Sequence, residues 1–268
     1  MIKHIFCDLD GTLYRDGITE KDKESIRIAQ ENGIMFHIAT GRVYSHTVSI
    51  IEEADVKGYS ICENGSFIYN NDGECIYRGT LDDMQINKII NLYNSLDYIE
   101  KNDDIIYFKY DGKIIVAVDG SAVEYFSRGY TVESDILERD TYNSAVGNIG
   151  ILSNNHEKLE KLVEDFESHF GSDFDIYISG PTTMNIVPRG VSKLEAIRMV
   201  CKRLGASLDE IMTIGDSPND ICMLRNIKMS FAMSDSKDSV KSEAGFETPS
   251  VADAVKMAID FNNEMAGV

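Results

Sequence analysis

The 268-residue chain carries 26 Lys+Arg against 45 Asp+Glu, a formal net charge of -19, with 43% hydrophobic residues. That apolar share is ordinary for a globular protein and excludes a disordered tail, and the length suits one large domain or two modest ones. A surface this acidic repels nucleic-acid phosphates and anionic lipid, no basic patch offsets it, and the longest aliphatic run, Ile114 to Val118, is far short of the ~20 residues of a membrane helix.

The N-terminus, MIKHIFCDLDG, places two acids by position 10, which is unlike a signal peptide, so the cytoplasm is the expected compartment. Lys3 to Cys7 reads as a short buried strand ending at Asp8. Thr19 with Asp22 resembles a helix cap, and Ile26 and Ala29 keep helical spacing until Gly33. Met35 to Ala39 is a second strand, ending at Thr40-Gly41-Arg42, and Tyr59 to Cys62 a third, ending at Glu63-Asn64-Gly65. Phe67 to Tyr69 and Cys75 to Tyr77 flank Asn71-Asp72-Gly73, which is hairpin chemistry.

The middle of the chain then changes character. It offers a helix from about Asp82 to Leu96, a hairpin of Ile105 to Tyr110 and Lys113 to Val118, a strand Val146 to Leu152, a helix Asn155 to Phe170, and strands Phe174 to Ser179 and Thr183 to Val187. Positions 81–185 hold 20 acids and 8 bases, so most of the net charge sits here. From Val191 the strand-helix alternation returns: a helix to Leu204, strand Ile211 to Ile214, a loop and helix over Gly215 to Leu224, strand Met229 to Met233, and a helix Val251 to Phe261. Strands alternating with helices imply an α/β fold with a doubly wound parallel sheet. Two such stretches enclosing a different one predict a discontinuous core, 1–80 with 187–268, and an inserted α/β domain at 81–186.

Ligands of parallel α/β sheets bind at the carboxyl ends of the strands, so the residues just beyond each strand carry the most information about chemistry. After the first come Asp8-Leu9-Asp10-Gly11-Thr12, and after a late one Gly215-Asp216-Ser217-Pro218-Asn219-Asp220. Asp8 and Asp10 alone read equally as turn or cap residues. Several carboxylates converging at one sheet edge repel one another unless a cation joins them, and an oxygen-only donor set selects a hard ion, Mg²⁺ foremost. Thr40 and the Gly41 N–H offer donors to phosphoryl oxygens, and Lys193, near a helix start, adds positive charge. The five cysteines, Cys7, Cys62, Cys75, Cys201 and Cys222, form no CxxC pair and read as buried small side chains in a reducing compartment. No GxGxxG or GxxxxGK[ST] occurs, which disfavours dinucleotide and P-loop chemistry.

Taken in order, Asp8-Leu9-Asp10-Gly11-Thr12-Leu13, Ala39-Thr40-Gly41-Arg42, Asn64-Gly65, Val191-Ser192-Lys193 and Gly215-Asp216-Ser217-Pro218-Asn219-Asp220 resemble the motifs of the haloacid dehalogenase superfamily, in particular its Cof-type subclass IIB phosphatases. The resemblance implies a Rossmann-like core with an α/β cap and hydrolysis of small phosphate esters, sugar phosphates foremost, through a phospho-aspartate. Phosphomutase action on hexose phosphates by the same chemistry is the alternative. The resemblance makes Asp8 the nucleophile and Asp10 the acid and base. Mg²⁺ is expected on Asp8, Asp216 and the Asp10 main-chain carbonyl, with Asp220 holding a metal-bound water or orienting Lys193. Thr40, Gly41, Lys193 and Asn219 resemble the phosphate cradle, Asn64 a turn near the substrate entrance and Arg42 a residue near the cap mouth. The expected partner is a small phosphorylated molecule, with no nucleic acid or membrane, for a monomer or small homo-oligomer. Met233-Ser234-Asp235 and Val251-Ala252-Asp253-Ala254-Val255 depart from the family pattern, so substrate preference is not inherited with the chemistry.

Overall fold

The computed structural model describes residues 1–119, 129–179 and 181–267. In chain order the elements are β1 (His4–Cys7), α1 (Glu20–Glu31), β2 (Met35–Ala39), α2 (Val48–Glu53), β3 (Ser60–Cys62), β4 (Phe67–Tyr69), β5 (Cys75–Arg78), α3 (Asp83–Ser95), β6 (Ile105–Tyr110), β7 (Lys113–Val116) and β8 (Thr131–Val132). They continue with β9 (Val146–Leu152), α4 (His156–Phe170), β10 (Phe174–Ile178), β11 (Thr183–Pro188), α5 (Lys193–Leu204), β12 (Ile211–Gly215), α6 (Ile221–Asn226), β13 (Met229–Met233), α7 (Asp238–Lys241), β14 (Phe246–Thr248) and α8 (Val251–Ala266). Two compact units result: Met1–Arg42, Thr47–Tyr77 and Ser192–Val268 form the first, Val43–His46 and Arg78–Val191 the second. Among the described residues no helix is long and apolar enough to cross a membrane.

The first unit is a doubly wound α/β sheet in the order β14-β13-β12-β1-β2-β3-β4-β5, parallel from β14 to β3 and turning antiparallel at β4. Its strands read as continuous apolar runs because both faces are covered. On β1, Ile5 and Cys7 point to one face and pack with Ala29 of α1 and Val255 of α8, while Phe6 points to the other and packs with Ile197 of α5 and Met223 of α6. Side-chain caps start the helices where the sequence puts Thr, Ser, Asp or Asn. Thr19 accepts from the Asp22 N–H, Ser192 from Glu195, and Ser250 from Asp253.

In the second unit the sheet runs β10-β11-β9-β6-β7-β8, antiparallel except for the β7–β8 pair. Residues alternate along each strand. Ile106, Phe108, Ile149, Ile151, Met184 and Ile186 face a core built with Ile86 and Ile89 of α3 and Leu159, Leu162 and Phe166 of α4. Asp82 and Gln85 form a capping box at the start of α3, and Asn155 caps α4.

Candidate active site

Parallel pairing sets Cys7 of β1 opposite Ile214 of β12, so both strands deliver their next residues to one edge of the sheet. Asp8 is the first residue beyond β1, with its N–H bonded to the Ile214 carbonyl at 2.9 Å. The chain then turns tightly, Thr12 and Tyr14 both donating to the Leu9 carbonyl. Gly11 makes the turn at φ +84°, and a Cβ there would stand 2.4 Å from Asp216 Oδ2, so only glycine lets this loop approach β12's end so closely.

Asp216 comes directly after β12. Its Oδ1 accepts from Thr12 Oγ1 at 2.7 Å and its Oδ2 from Ser217 Oγ at 2.8 Å. Asp220 closes the next turn, with Oδ2 accepting from the Asp216 and Ser217 N–H groups at 3.0 Å each. Lys193, the first residue of α5, sends its ammonium between two acids, donating to Asp8 Oδ1 and Asp220 Oδ1 at 2.6 Å each. Lys193, Asp8 and Asp220 are all buried.

That burial sets the electrostatics. Removal from water pushes the Asp8 carboxyl well up, the Lys193 ammonium opposes the rise, and Asp220 and Asp216 add to it. Burial pulls Lys193 down, but Asp220 and Asp8 together outweigh it and hold the ammonium above its ordinary range. Asp216 is raised chiefly by burial, against the Thr12 hydrogen bond and with a further push from Asp220. One carboxylate oxygen each from Asp8, Asp216 and Asp220 lie within 4.8 Å of one another. At an effective dielectric of ~20, two unit charges at that separation repel by about 3 kcal/mol. One ammonium does not balance three carboxylates, and an all-oxygen donor set that is partly buried and short of positive charge fits a hard divalent cation. Asp8 and Asp216 are the members best placed to hold it, because the donors on Asp216 are two hydroxyls that can turn away, whereas the oxygens of Asp220 are fixed by the Lys193 ammonium and by two main-chain N–H groups.

The side chain of Asp10 stands outside this cluster. It is 57% exposed and gripped by the Arg42 guanidinium, whose Nε donates to Oδ2 at 2.6 Å and whose second arm pairs with Oδ1. Arg42 is buried and lies over the Tyr14 ring, 4.8 Å from its centroid. Asp10 thus adds no carboxylate to the group, and its expected share in a metal site is its main-chain carbonyl.

A second set of residues gathers at the ends of β2 and β3. Thr40 is buried, its Oγ1 accepting from the Arg42 N–H at 3.2 Å and its carbonyl from the Asn64 N–H at 3.0 Å. A Cβ on Gly41 would lie 3.2 Å from Asn64 Oδ1, so this backbone is pressed against the Asn64 amide. Asn64 holds φ +58°, a left-handed conformation that asparagine tolerates, and its Oδ1 accepts from Asn219 Nδ2 at 2.9 Å. Gly65, at φ +113°, brings its Cα so near α5 that a Cβ would sit 2.3 Å from the Ser192 carbonyl.

The structure thus brings Asp8, Asp216, Asp220 and Lys193 together, and joins Asn219 to Asn64 and Gly41 beside them. Thr12 and Ser217, which hydrogen-bond the Asp216 carboxylate, are members of this cluster that the sequence reading does not single out. Both lie inside the quoted motifs, and a hydroxyl neighbouring an acid in a strand-end loop is the one signal they offer.

A sequence model of the haloacid dehalogenase-like hydrolases matches residues 5–259. The chain is 26% identical to the Bacillus subtilis protein named 5-amino-6-(5-phospho-D-ribitylamino)uracil phosphatase YcsE over 96% of this chain and 94% of that one. It is 25% identical to Phosphatase YwpJ of the same organism over 97% and 96% of the two chains. Among solved structures it resembles a haloacid dehalogenase-like hydrolase from B. subtilis with a TM-score of 0.82 and 24% identity, covering 95% of this chain and 99% of that one.

Proposed function

Because the chain belongs to the haloacid dehalogenase-like hydrolases and is a phosphatase of their type, we propose that it hydrolyses small-metabolite phosphate monoesters, sugar and polyol phosphates foremost, through a phosphoryl group carried on Asp8. The observation that carries this reading is the buried Asp8–Lys193–Asp220 bridge beside Asp216, at the carboxyl ends of two neighbouring parallel strands. The name of the B. subtilis relative, which specifies a phospho-D-ribityl compound, supports the choice of polyol esters.

Asp8 attacks phosphorus through a carboxylate oxygen, and the bond from phosphorus to the ester oxygen breaks as the new one forms. The leaving oxygen takes a proton from Asp10. To reach it the Asp10 side chain leaves the grip of Arg42, whose fork holds it at rest. Asp10, now ionised, removes a proton from water, the water oxygen attacks phosphorus, and the bond to Asp8 breaks to release inorganic phosphate. Through both steps Lys193, the Gly41 N–H, Thr40 and Asn219 offset charge on the phosphoryl oxygens. Asp8, Asp216 and the Asp10 carbonyl would hold Mg²⁺, which when bound supplies the positive charge that the three carboxylates lack and that the phosphoryl group needs.

The test is inorganic phosphate release from a panel of sugar phosphates, polyol phosphates, nucleotides and small phospho-acids, with Mg²⁺ and with EDTA. Metal-dependent release that vanishes in Asp8→Asn is expected. Full activity of Asp8→Asn would overturn the mechanism, and isomerisation of a hexose phosphate without release would move the assignment to a mutase.

A further inference from the structure

The loop beyond β1 is held from two sides. Arg42 grips the Asp10 side chain on one, and on the other Arg15 Nε donates to the Gly11 carbonyl at 2.6 Å. The remaining arms of the Arg15 guanidinium clasp a single carboxylate, Nη1 donating to Asp235 Oδ2 at 3.1 Å and Nη2 to Asp235 Oδ1 at 3.0 Å. Asp235 follows β13, whose register with β12 sets Ala232 opposite Gly215, so the segments carrying Asp216 and Asp235 leave the sheet at the same edge. Its own segment is fastened there, with the Ser234 N–H on the Thr248 carbonyl at 2.8 Å and the Ser236 N–H on the Met233 carbonyl at 2.9 Å. Met233-Ser234-Asp235 is also where the chain departs from the family pattern, and the proposed mechanism leaves it without a role.

What Arg15 holds is one peptide plane. The peptide between Gly11 and Thr12 has its carbonyl on Arg15 and its N–H on the Leu9 carbonyl at 3.1 Å, so it is tied at both ends. Two contacts to Asp216 depend on that plane. Thr12 Oγ1 donates to Asp216 Oδ1 at 2.7 Å, and Gly11 comes so close that a Cβ would stand 2.4 Å from Oδ2. The Asp10 carbonyl is the next group on the other side of Gly11. Arg15 and Asp235 have side chains 38% and 69% exposed, and an ion pair this open to water adds little to stability. Its effect is on direction instead, because the planar guanidinium fixes the angle between the carboxylate it grips and the carbonyl it meets.

We propose that Arg15, anchored by Asp235, is a positioning residue that fixes the peptide between Gly11 and Thr12 and thereby sets Asp216 and the Asp10 carbonyl for Mg²⁺. Its catalytic consequence rests on the phosphatase reading, in which the Asp10 side chain leaves Arg42 to meet the leaving oxygen. The side chain then swings while its own main chain must stay in place, and Arg15 is the side chain that holds that main chain still. A misplacement of about 1 Å near reacting atoms is enough to slow a reaction by as much as ~10². Neither Arg15 nor Asp235 is given a contact to the organic part of the substrate, so the effect belongs in kcat rather than in KM.

Titration calorimetry with Mg²⁺ alone, without substrate, tests this apart from activity. Arg15→Met is expected to weaken Mg²⁺ binding about tenfold and, at saturating Mg²⁺, to lower kcat for a sugar phosphate about tenfold with KM unchanged. Its melting temperature stays within about 3 °C of the wild type. Asp235→Ala, which leaves Arg15 in place but unanchored, gives a smaller loss in both readings, and Asp235→Glu, which restores a carboxylate, recovers part of it. The double variant Arg15→Met with Asp235→Ala is no worse than Arg15→Met, since Asp235 acts only through Arg15. Should Arg15→Met fail to fold, Asp235→Ala and Asp235→Glu carry the test. A pair that serves only the fold would lower the melting temperature and leave Mg²⁺ affinity unchanged. That result would overturn the proposal, as would additive losses in the double variant or a wild type that takes up no Mg²⁺. A wild type that binds Mg²⁺ yet releases phosphate from no ester would instead defeat the phosphatase reading, with calorimetry still deciding the role of Arg15.

Discussion

Lys193 lies where the sequence's two carboxylate motifs meet, and its ammonium is what allows Asp8 and Asp220 to be buried side by side. Removing one partner of a buried charged group leaves the others without compensation, which typically costs about 3–5 kcal/mol. Lys193→Met is therefore expected to lower the melting temperature sharply and to reduce kcat/KM by at least ~10². The remaining carboxylates would favour protonation, so mild acidification recovers part of the lost stability. Thermal denaturation of both proteins from pH 8 to pH 5 checks this, and a variant as stable and active as the wild type would refute the role given to Lys193. Asp10 is the complementary case. Its place in the motif is legible, but its resting partner, Arg42, is not, because that contact joins two strand-end loops whose approach depends on the sheet.

At the scale of elements, β1 and β2 are tied by a pair of buried histidines. His37 Nδ1 accepts from the Tyr59 N–H at 2.8 Å, so its ring proton is on Nε2 and is donated to His4 Nδ1 at 3.2 Å. Burial, with His4 beside it, holds His37 well below the usual imidazole range, and burial also lowers His4, against Glu210. Both rings are thus neutral in the folded state, whereas in the unfolded chain they protonate below about pH 6.5. Their contribution is complete above that pH and is lost as pH falls through and below it, by at most about 1.4 kcal/mol per pH unit for each ring. Stability measured by denaturant melts is expected to drop from pH 7 to pH 5.5 and to drop less steeply in His37→Leu. Equal slopes in the two proteins would contradict this. Helices are the most readable elements, since Thr19, Asp82, Asn155, Ser192 and Ser250 announce their starts with side-chain caps. The short α2, α7, β8 and β14 go unread, because four to six residues of helix or two or three of strand hold little periodicity and, unlike the equally short β3, β4 and α6, no strand-end motif or hairpin turn marks them. α8 runs on to Ala266, past the expected end at Phe261 and through the polar Asn262, Asn263 and Glu264, to a left-handed Gly267 that caps it.

The whole molecule is governed by its formal charge of -19. Among the described residues most ion pairs are exposed, such as Lys21–Asp253 and Lys228–Asp209, and such pairs add little. Self-repulsion therefore outweighs them, and raising NaCl from about 0.05 to 0.5 M, which shortens the screening length several-fold, is expected to raise the melting temperature. A fall would mean that paired charges dominate. The fold class is legible from alternation of strand and helix. The strand order is not, since β12 lies beside β1 through a pairing between distant parts of the chain that no local pattern records. The motifs name the acids that meet but cannot reveal which of their oxygens are already occupied.

The proposed mechanism rests on Asp8 as the nucleophile toward phosphorus. The most direct measurement is acid quenching of the enzyme during turnover of a sugar phosphate, then mass spectrometry of the peptide containing Asp8. The account predicts a peptide heavier by one phosphoryl group, labile to hydroxylamine and absent from Asp8→Asn. A phosphoryl group found on another residue, or none on Asp8 in an enzyme that is turning over and quenched within its first cycle, would contradict it.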